Sequence, residues 1–157
     1  MEAVRQISID AIRDAARHVY RAAIRTPLVR VDIPDAPDGL ELYLKLEVLQ
    51  PIGSFKIRGA VNVLRQLTAS ELAGGVWTVS AGNAALGVAY AARQAGVPCS
   101  VMVMDTAPAA KVDAINRLGA SIVRVTYDEA WDLLESNDWN IRKVLESARQ
   151  IPEGVSS

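Results

Sequence analysis

Cysteine and histidine each occur once in these 157 residues, neither sign of charge predominates, and no apolar run approaches the length of a membrane span. Each scarcity removes a class of function. A lone Cys99 cannot close an intrachain disulfide, and its place at the start of an apolar run reads as a buried structural thiol rather than a nucleophile. With His18 as the sole histidine, a zinc centre or a histidine-based catalytic site has no support, and His18 is expected to be a partly exposed helix residue. Lys and Arg number 17 against 18 Asp and Glu, so no bulk field attracts nucleic acid or an anionic membrane. The opening Met1-Glu2-Ala3-Val4-Arg5 lacks the basic-then-apolar order of a signal peptide, which makes the cytoplasm the expected location. No internal repeat or low-complexity tract is present.

What remains, 50% hydrophobic and 22% charged residues, is the profile of a soluble globular domain with enough apolar material for a core. Ser8 is placed to cap a helix whose apolar positions Ile9, Ile12, Ala16, Val19 and Ala23 recur three and four apart, ended by Thr26-Pro27. The turn-rich Pro34 to Gly39 precedes strict alternation of Leu40, Leu42, Leu44 and Leu46 with Glu41, Tyr43, Lys45 and Glu47, which predicts a strand with one buried face. After Lys56, Ala60, Val63, Leu64 and Leu67 share a helical face, and Ser70 starts a further short turn before Gly74-Gly75.

From Val76 the pattern becomes strand (Val76 to Val79), loop (Ser80 to Asn83), helix (Ala84 to Ala95), strand (Ser100 to Met104), helix (Pro108 to Leu118) and strand (Ser121 to Val125). That order calls for an α/β fold with a parallel sheet, and it puts the loops after the strands at the ligand-binding edge. Beyond Tyr127, Ala130, Leu133 and Leu134, then Ile141, Val144, Leu145 and Ala148, support two more helices with Asn137 or Asp138 between them as a cap. Ile151 to Ser157 reads as a frayed end.

Two stretches have the make-up of a site. In Gly53-Ser54-Phe55-Lys56-Ile57-Arg58-Gly59 the amine sits among small and apolar neighbours, so folding is expected to strip part of its hydration and favour the neutral, nucleophilic form. A surface lysine lying its stem along apolar neighbours is the alternative. In Ser80-Ala81-Gly82-Asn83-Ala84 a strand runs into a helix N-terminus, where backbone N–H groups, with Ser80 and Asn83, suit a carboxylate or phosphate. Equally, Asn83 serves only as a cap and Gly82 only as a turn. Gly82 and Gly87 have the outer spacing of a phosphate loop, but no Lys-Ser/Thr follows and there is no GxGxxG; with Asp105 as a ribose ligand, a nucleotide-binding Rossmann module stays as a competing reading.

The stretches Thr26-Pro27-Leu28, Tyr43 to Glu47, Gln50-Pro51, Gly53 to Ala60, Ser80 to Asn83, Ala107-Pro108 with Lys111, and Leu118 to Ala120 closely resemble the threonine/serine dehydratase branch of fold-type-II pyridoxal-phosphate enzymes, collinearly from about Ile9 to about Trp131. The resemblance implies that Lys56 holds pyridoxal 5'-phosphate as a Schiff base and later takes the Cα proton of a small hydroxy amino acid, releasing a 2-oxo acid and ammonia. It implies that Phe55 packs near the cofactor ring, that Asn83 hydrogen-bonds its phenolic oxygen, and that Ser80, Ala81, Gly82, Asn83 and Ala84 surround the substrate carboxylate. Racemases of the family carry serine where this chain has Ala81, which favours elimination; Ala84 stands where many members have histidine.

The resemblance also implies a later half with a glycine-rich phosphate loop, a partner for the ring nitrogen and a cation site, none of which is recognisable in this sequence, and the piece from Asp132 onward matches poorly. The organisation expected is therefore an incomplete part of a cofactor domain over residues 1–75, a small three-layer αβα domain over residues 76–146 and a tail over 147–157. Such a chain is expected to be a fragment whose incomplete sheet edges promote self-association or homo-oligomers.

Overall fold

The computed structural model describes residues 6–138 together with Asn140, Lys143, Val144 and Ser147. Helix α1 spans Ile9–Val19, and the Ser8 hydroxyl accepts from the Ala11 N–H at 3.1 Å, as the capping pattern predicts. The helix is shorter than its apolar stripe. Val19 and Ala23 are buried against Ile57, whereas Ile9 and Ile12 are 58% and 53% exposed, because only the far end of the stripe meets a packing surface. His18 is half-buried, with Nδ1 3.1 Å from the Asp14 carbonyl oxygen.

Strands β1 (Leu28–Val31) and β2 (Leu42–Lys45) form an antiparallel pair with Val29 opposite Leu44 and Val31 opposite Leu42. β1 was not expected from the sequence, and the expected buried face of β2 is corrected: all four of its residues are exposed. The register gathers Val29, Val31, Leu42 and Leu44 on one side of the ribbon, where Val29, Leu42 and Leu44 are exposed and Val31 is half-buried. Glu47–Leu49 is a 3-10 turn rather than the end of the strand.

Helix α2 (Lys56–Leu64) is followed by α3 (Ala69–Leu72), which opens on a Thr68–Glu71 capping box. Gly75 (φ +79°) has room only for hydrogen, since a Cβ there would lie 2.8 Å from the Pro98 carbonyl oxygen. Then come β3 (Val76–Val79), α4 (Asn83–Ala95), β4 (Cys99–Met104), α5 (Ala109–Asn116), β5 (Ser121–Val125) and α6 (Tyr127–Ser136). The three strands are parallel in the order β3-β4-β5, and β4 is buried from Cys99 to Val103.

The central strand sorts its side chains between two cores. Val101 and Val103 pack with Ala85, Ala89 and Ala92 of α4 and Ile115 of α5, while Met102 faces Leu133 and Leu134 of α6. These are the layers of a three-layer αβα unit. Helix α2 lies on α4 and joins the first core through Leu64, Ala60 and Val61. Cys99 is 7% exposed and burial pushes its thiol up to about 11, which suits a structural thiol. Val144 is buried against Met102 and Val125, whereas Ile141, Leu145 and Ala148 and the tail Ile151 to Ser157 lie outside the described residues. No helix among the described residues is long and apolar enough to cross a membrane.

Candidate active site

Lys56 is the first residue of α2, and its N–H donates to the Ser54 hydroxyl at 3.3 Å. The helical phase separates it from its neighbours. Ile57 is fully buried and anchors the turn, whereas Lys56 is exposed and Phe55 is 57% exposed, with the Lys56 Nζ 5.1 Å from the Phe55 ring centroid. The expected stripping of water from the amine by these neighbours is therefore corrected: Ile57 turns inward and Phe55 stands beside the amine without covering it.

Beside Lys56 runs a groove of about 450 Å³ between α2, α3, β3 and α4, bordered by Lys56 and Ala84 and lined by Ala60, Leu64, Trp77 and Val88. The apolar face predicted after Lys56 is present here, although Val63 on it is 55% exposed because it faces this open groove. What brings Lys56 and the start of α4 together is Gly87. A Cβ built on this buried glycine would lie 3.1 Å from the Lys56 carbonyl oxygen and 3.2 Å from its carbonyl carbon, so α4 crosses the backbone of Lys56 at closest approach.

At the C-terminal end of β3, the Ser80 hydroxyl accepts from the Gly82 N–H at 3.1 Å. Gly82 is the N-cap of α4, and Asn83 is its first helical residue with an exposed side chain, so Asn83 is not the cap. Ser80, Ala81, Gly82 and Ala84 are half-buried. The N–H groups of the first turn have no acceptor within the helix, which leaves partial positive charge at the mouth of the groove.

The nucleotide reading is corrected by the same geometry. Gly87 lies inside α4 and serves helix packing, so no loop joins it to Gly82, and Asp105 spends Oδ1 on the Thr106 N–H at 2.8 Å. Among the described residues, no group of three or more His, Cys, Asp and Glu is arranged to hold a metal ion.

Behind the exposed amine lies a polar cluster that the sequence did not reveal. Arg58 donates from Nε and Nη2 to the two carboxylate oxygens of Glu47, each at 2.8 Å. Thr26 Oγ1 donates to Glu47 Oε1 at 2.6 Å, and Gln50 Nε2 donates to Oε2 at 3.2 Å. The Arg58 hydrogen bonds are the main reason the Glu47 carboxyl is held down at about 2. These residues come from three segments, Glu47 and Gln50 sharing one 3-10 turn, and only the fold brings Thr26 and Arg58 to it.

The chain is similar to known proteins of one family. The model of the family described as "Pyridoxal-phosphate dependent enzyme" matches residues 19–150. An L-threonine ammonia-lyase of Thermotoga maritima is 38% identical over 128 residues, covering 80% of this chain and 32% of that enzyme. A serine racemase of Dictyostelium discoideum is 33% identical over 146 residues, covering 93% of this chain and 44% of that protein. The solved structure of maize serine racemase superposes with a TM-score of 0.76 at 33% identity, over 92% of this chain and 42% of that one. The chain thus spans 32% to 44% of the length of these relatives.

Proposed function

The chain belongs to the pyridoxal-phosphate dependent enzyme family, and from that premise we propose that it carries the amine-bearing half of an ammonia-lyase site for a hydroxy amino acid of the threonine or serine type. The observation that supports this most is the packing of α4 through Gly87 onto the Lys56 backbone, which sets an exposed amine and a helix N-terminus at one groove.

The donor set fits the ring end of the cofactor: a primary amine at Lys56, an aromatic face at Phe55 and an amide at Asn83. Lys56 would hold it covalently through Nζ, Phe55 would pack against its ring, and Asn83 would hydrogen-bond its phenolic oxygen. When bound, pyridoxal phosphate supplies an electrophilic carbonyl and a ring able to accept an electron pair. Ser80, Gly82 and the first-turn N–H groups of α4 hold the substrate carboxylate. Lys56 Nζ, once free, takes the proton from the substrate Cα on its own side. Ala81 has no proton to return from the opposite side, so departure of the β-hydroxyl, with release of ammonia and a 2-oxo acid, is favoured over racemisation.

A second reading is favoured by the exposure of Lys56 and Phe55: the isolated chain forms a reversible imine but does not turn over, because nothing among its described residues shuts water out. One titration addresses both. Pyridoxal phosphate added to the purified chain is expected to give a visible absorbance band that Lys56→Ala lacks. Absence of any Lys56-dependent band sinks both readings, and release of 2-oxo acid from L-threonine or L-serine decides for the complete lyase over the imine-forming fragment.

A further inference from the structure

Three successive residues at the start of α2 meet three different surroundings. Lys56 faces solvent and the groove, Ile57 is fully buried, and the Arg58 side chain is 24% exposed and turned back into the polar cluster. Successive helical residues point about 100° apart, so Lys56 and Arg58 leave the first turn in nearly opposite directions. The turn is held on two sides, and the amine projects from the third.

Glu47 is the hub of the Arg58 side. Each of its oxygens accepts two hydrogen bonds, Oε1 from Arg58 Nη2 and Thr26 Oγ1, Oε2 from Arg58 Nε and Gln50 Nε2. The cluster then reaches the backbone ahead of β1. Gln50 accepts from the Ile24 N–H and donates to the Ile24 carbonyl, each at 3.0 Å, and Arg58 Nη2 donates to the same carbonyl at 3.1 Å. Lys45 Nζ donates to the Thr26 carbonyl. Three segments, from Ile24 to Thr26, from Glu47 to Gln50, and at Arg58, are thereby tied to one carboxylate that is 18% exposed, and Lys45 joins them through the Thr26 carbonyl.

An ion pair this well enclosed is weak evidence of stability for its own sake, since desolvation offsets much of the attraction. What a bidentate guanidinium–carboxylate pair supplies is direction, because two parallel hydrogen bonds fix an angle as well as a distance. We propose that Glu47, through Arg58, is a positioning residue for Lys56: it sets the orientation of the first turn of α2 and hence the place at which the amine is presented. The inference deepens the functional reading and rests on Lys56 being the reactive amine.

The test is labelling of the full chain with pyridoxal phosphate, trapping with borohydride and peptide mass spectrometry, scored as the ratio of label at Lys56 to label at Lys111, an exposed lysine on α5. Glu47→Gln keeps the shape and an acceptor but removes the charge; Thr26→Val removes one donor and leaves the ion pair. The ratio is expected to fall about tenfold in Glu47→Gln, less than the roughly hundredfold that a misplacement of about 1 Å can cost, and by less in Thr26→Val, with the far-ultraviolet circular dichroism of both unchanged. A merely structural role would lower the melting temperature and leave the ratio, measured well below the melt, as in the wild type; that result overturns the inference. If Glu47→Gln does not fold, an unchanged ratio in folded Thr26→Val overturns it equally. A wild-type ratio near one, with no preference for Lys56, removes the functional reading and this inference with it, whereas a high wild-type ratio that survives both substitutions removes this inference alone.

Discussion

Gly87→Ala tests the contact on which the site depends. Two effects of opposite sign meet in this substitution. Alanine is the better helix former by about 1 kcal/mol, and Gly87 lies in the interior of a 13-residue helix with no need for positive φ. Against this, the new methyl would stand 3.1 Å from the Lys56 carbonyl oxygen, 3.2 Å from its carbonyl carbon and 3.4 Å from its Cβ. Ordinary contact begins near 3.4 Å, so α2 must retreat by a few tenths of an ångström. Two of the three atoms are backbone, and a backbone cannot swing aside as a side chain can. Overpacking of this kind costs about 1–3 kcal/mol, so the net expectation is a loss of about 1 kcal/mol, accompanied by displacement of Lys56. Gly59→Ala is the matched control: it too is helical, on α2, but nothing lies within 4 Å of its added Cβ, and it should gain about 1 kcal/mol. Urea unfolding followed by tryptophan fluorescence gives both stabilities, and the Lys56 to Lys111 labelling ratio gives the displacement. Gly87→Ala as stable as Gly59→Ala, with the ratio unchanged, would refute the claim that α4 fixes Lys56 through this glycine.

The remaining predictions concern charge and surface. Glu47 titrates at about 2 in the folded chain against an ordinary value of 4.5, so its contribution to stability is fully present above about pH 4.5 and is lost as the pH falls through 2. Urea unfolding between about pH 5 and pH 3 should therefore show wild-type stability falling more steeply than that of Glu47→Gln, and equal slopes would count against the assignment. The aliphatic side of the β1–β2 ribbon, with Val29 and Leu44 at 42% and 46% exposure, is expected to drive self-association. Sedimentation velocity should show concentration-dependent association that Leu44→Lys weakens; a wild-type monomer at all concentrations would contradict this.

How far the sequence could be read depended on whether the cause was local. The run β3-α4-β4-α5-β5 was legible because apolar stretches were bounded by glycines that do adopt the left-handed conformation, Gly96 at φ +68° and Gly119 at φ +87°. β1 was not legible, since Leu28–Val31 is four residues long and becomes a strand only by pairing with Leu42–Lys45 beyond an intervening turn. Alternation in β2 identified a one-sided chemistry correctly but carried no information on what covers that side. At the site, the Lys56 and Ser80–Asn83 stretches could be picked out by composition, whereas the role of Gly87 could not. Its distance from Gly82 suggested a loop, and only the crossing of α4 over α2 shows that it is a packing glycine. Glu47 and Gln50 stand three residues apart on one turn, but Thr26 and Arg58 come from other segments, and their three hydrogen bonds to the carboxylate are a property of tertiary structure.

The exposure of Lys56 separates two requirements that a reactive lysine normally meets together. One is position: the backbone beneath the amine is held by Gly87 from α4, by buried Ile57 and by the Glu47–Arg58 pair, all within this chain. The other is a dry environment, which would favour the neutral amine and strengthen each interaction made during reaction. Within the described residues, the groove beside Lys56 is open and Phe55 is 57% exposed. An amine in water still forms an imine through its neutral fraction, whereas proton removal from a carbon acid needs both position and exclusion of water. Covering the site should therefore change turnover far more than cofactor attachment. Under the proposed function, attachment at Lys56 is expected to depend on Gly87 and Glu47, and elimination to depend in addition on whatever covers the groove.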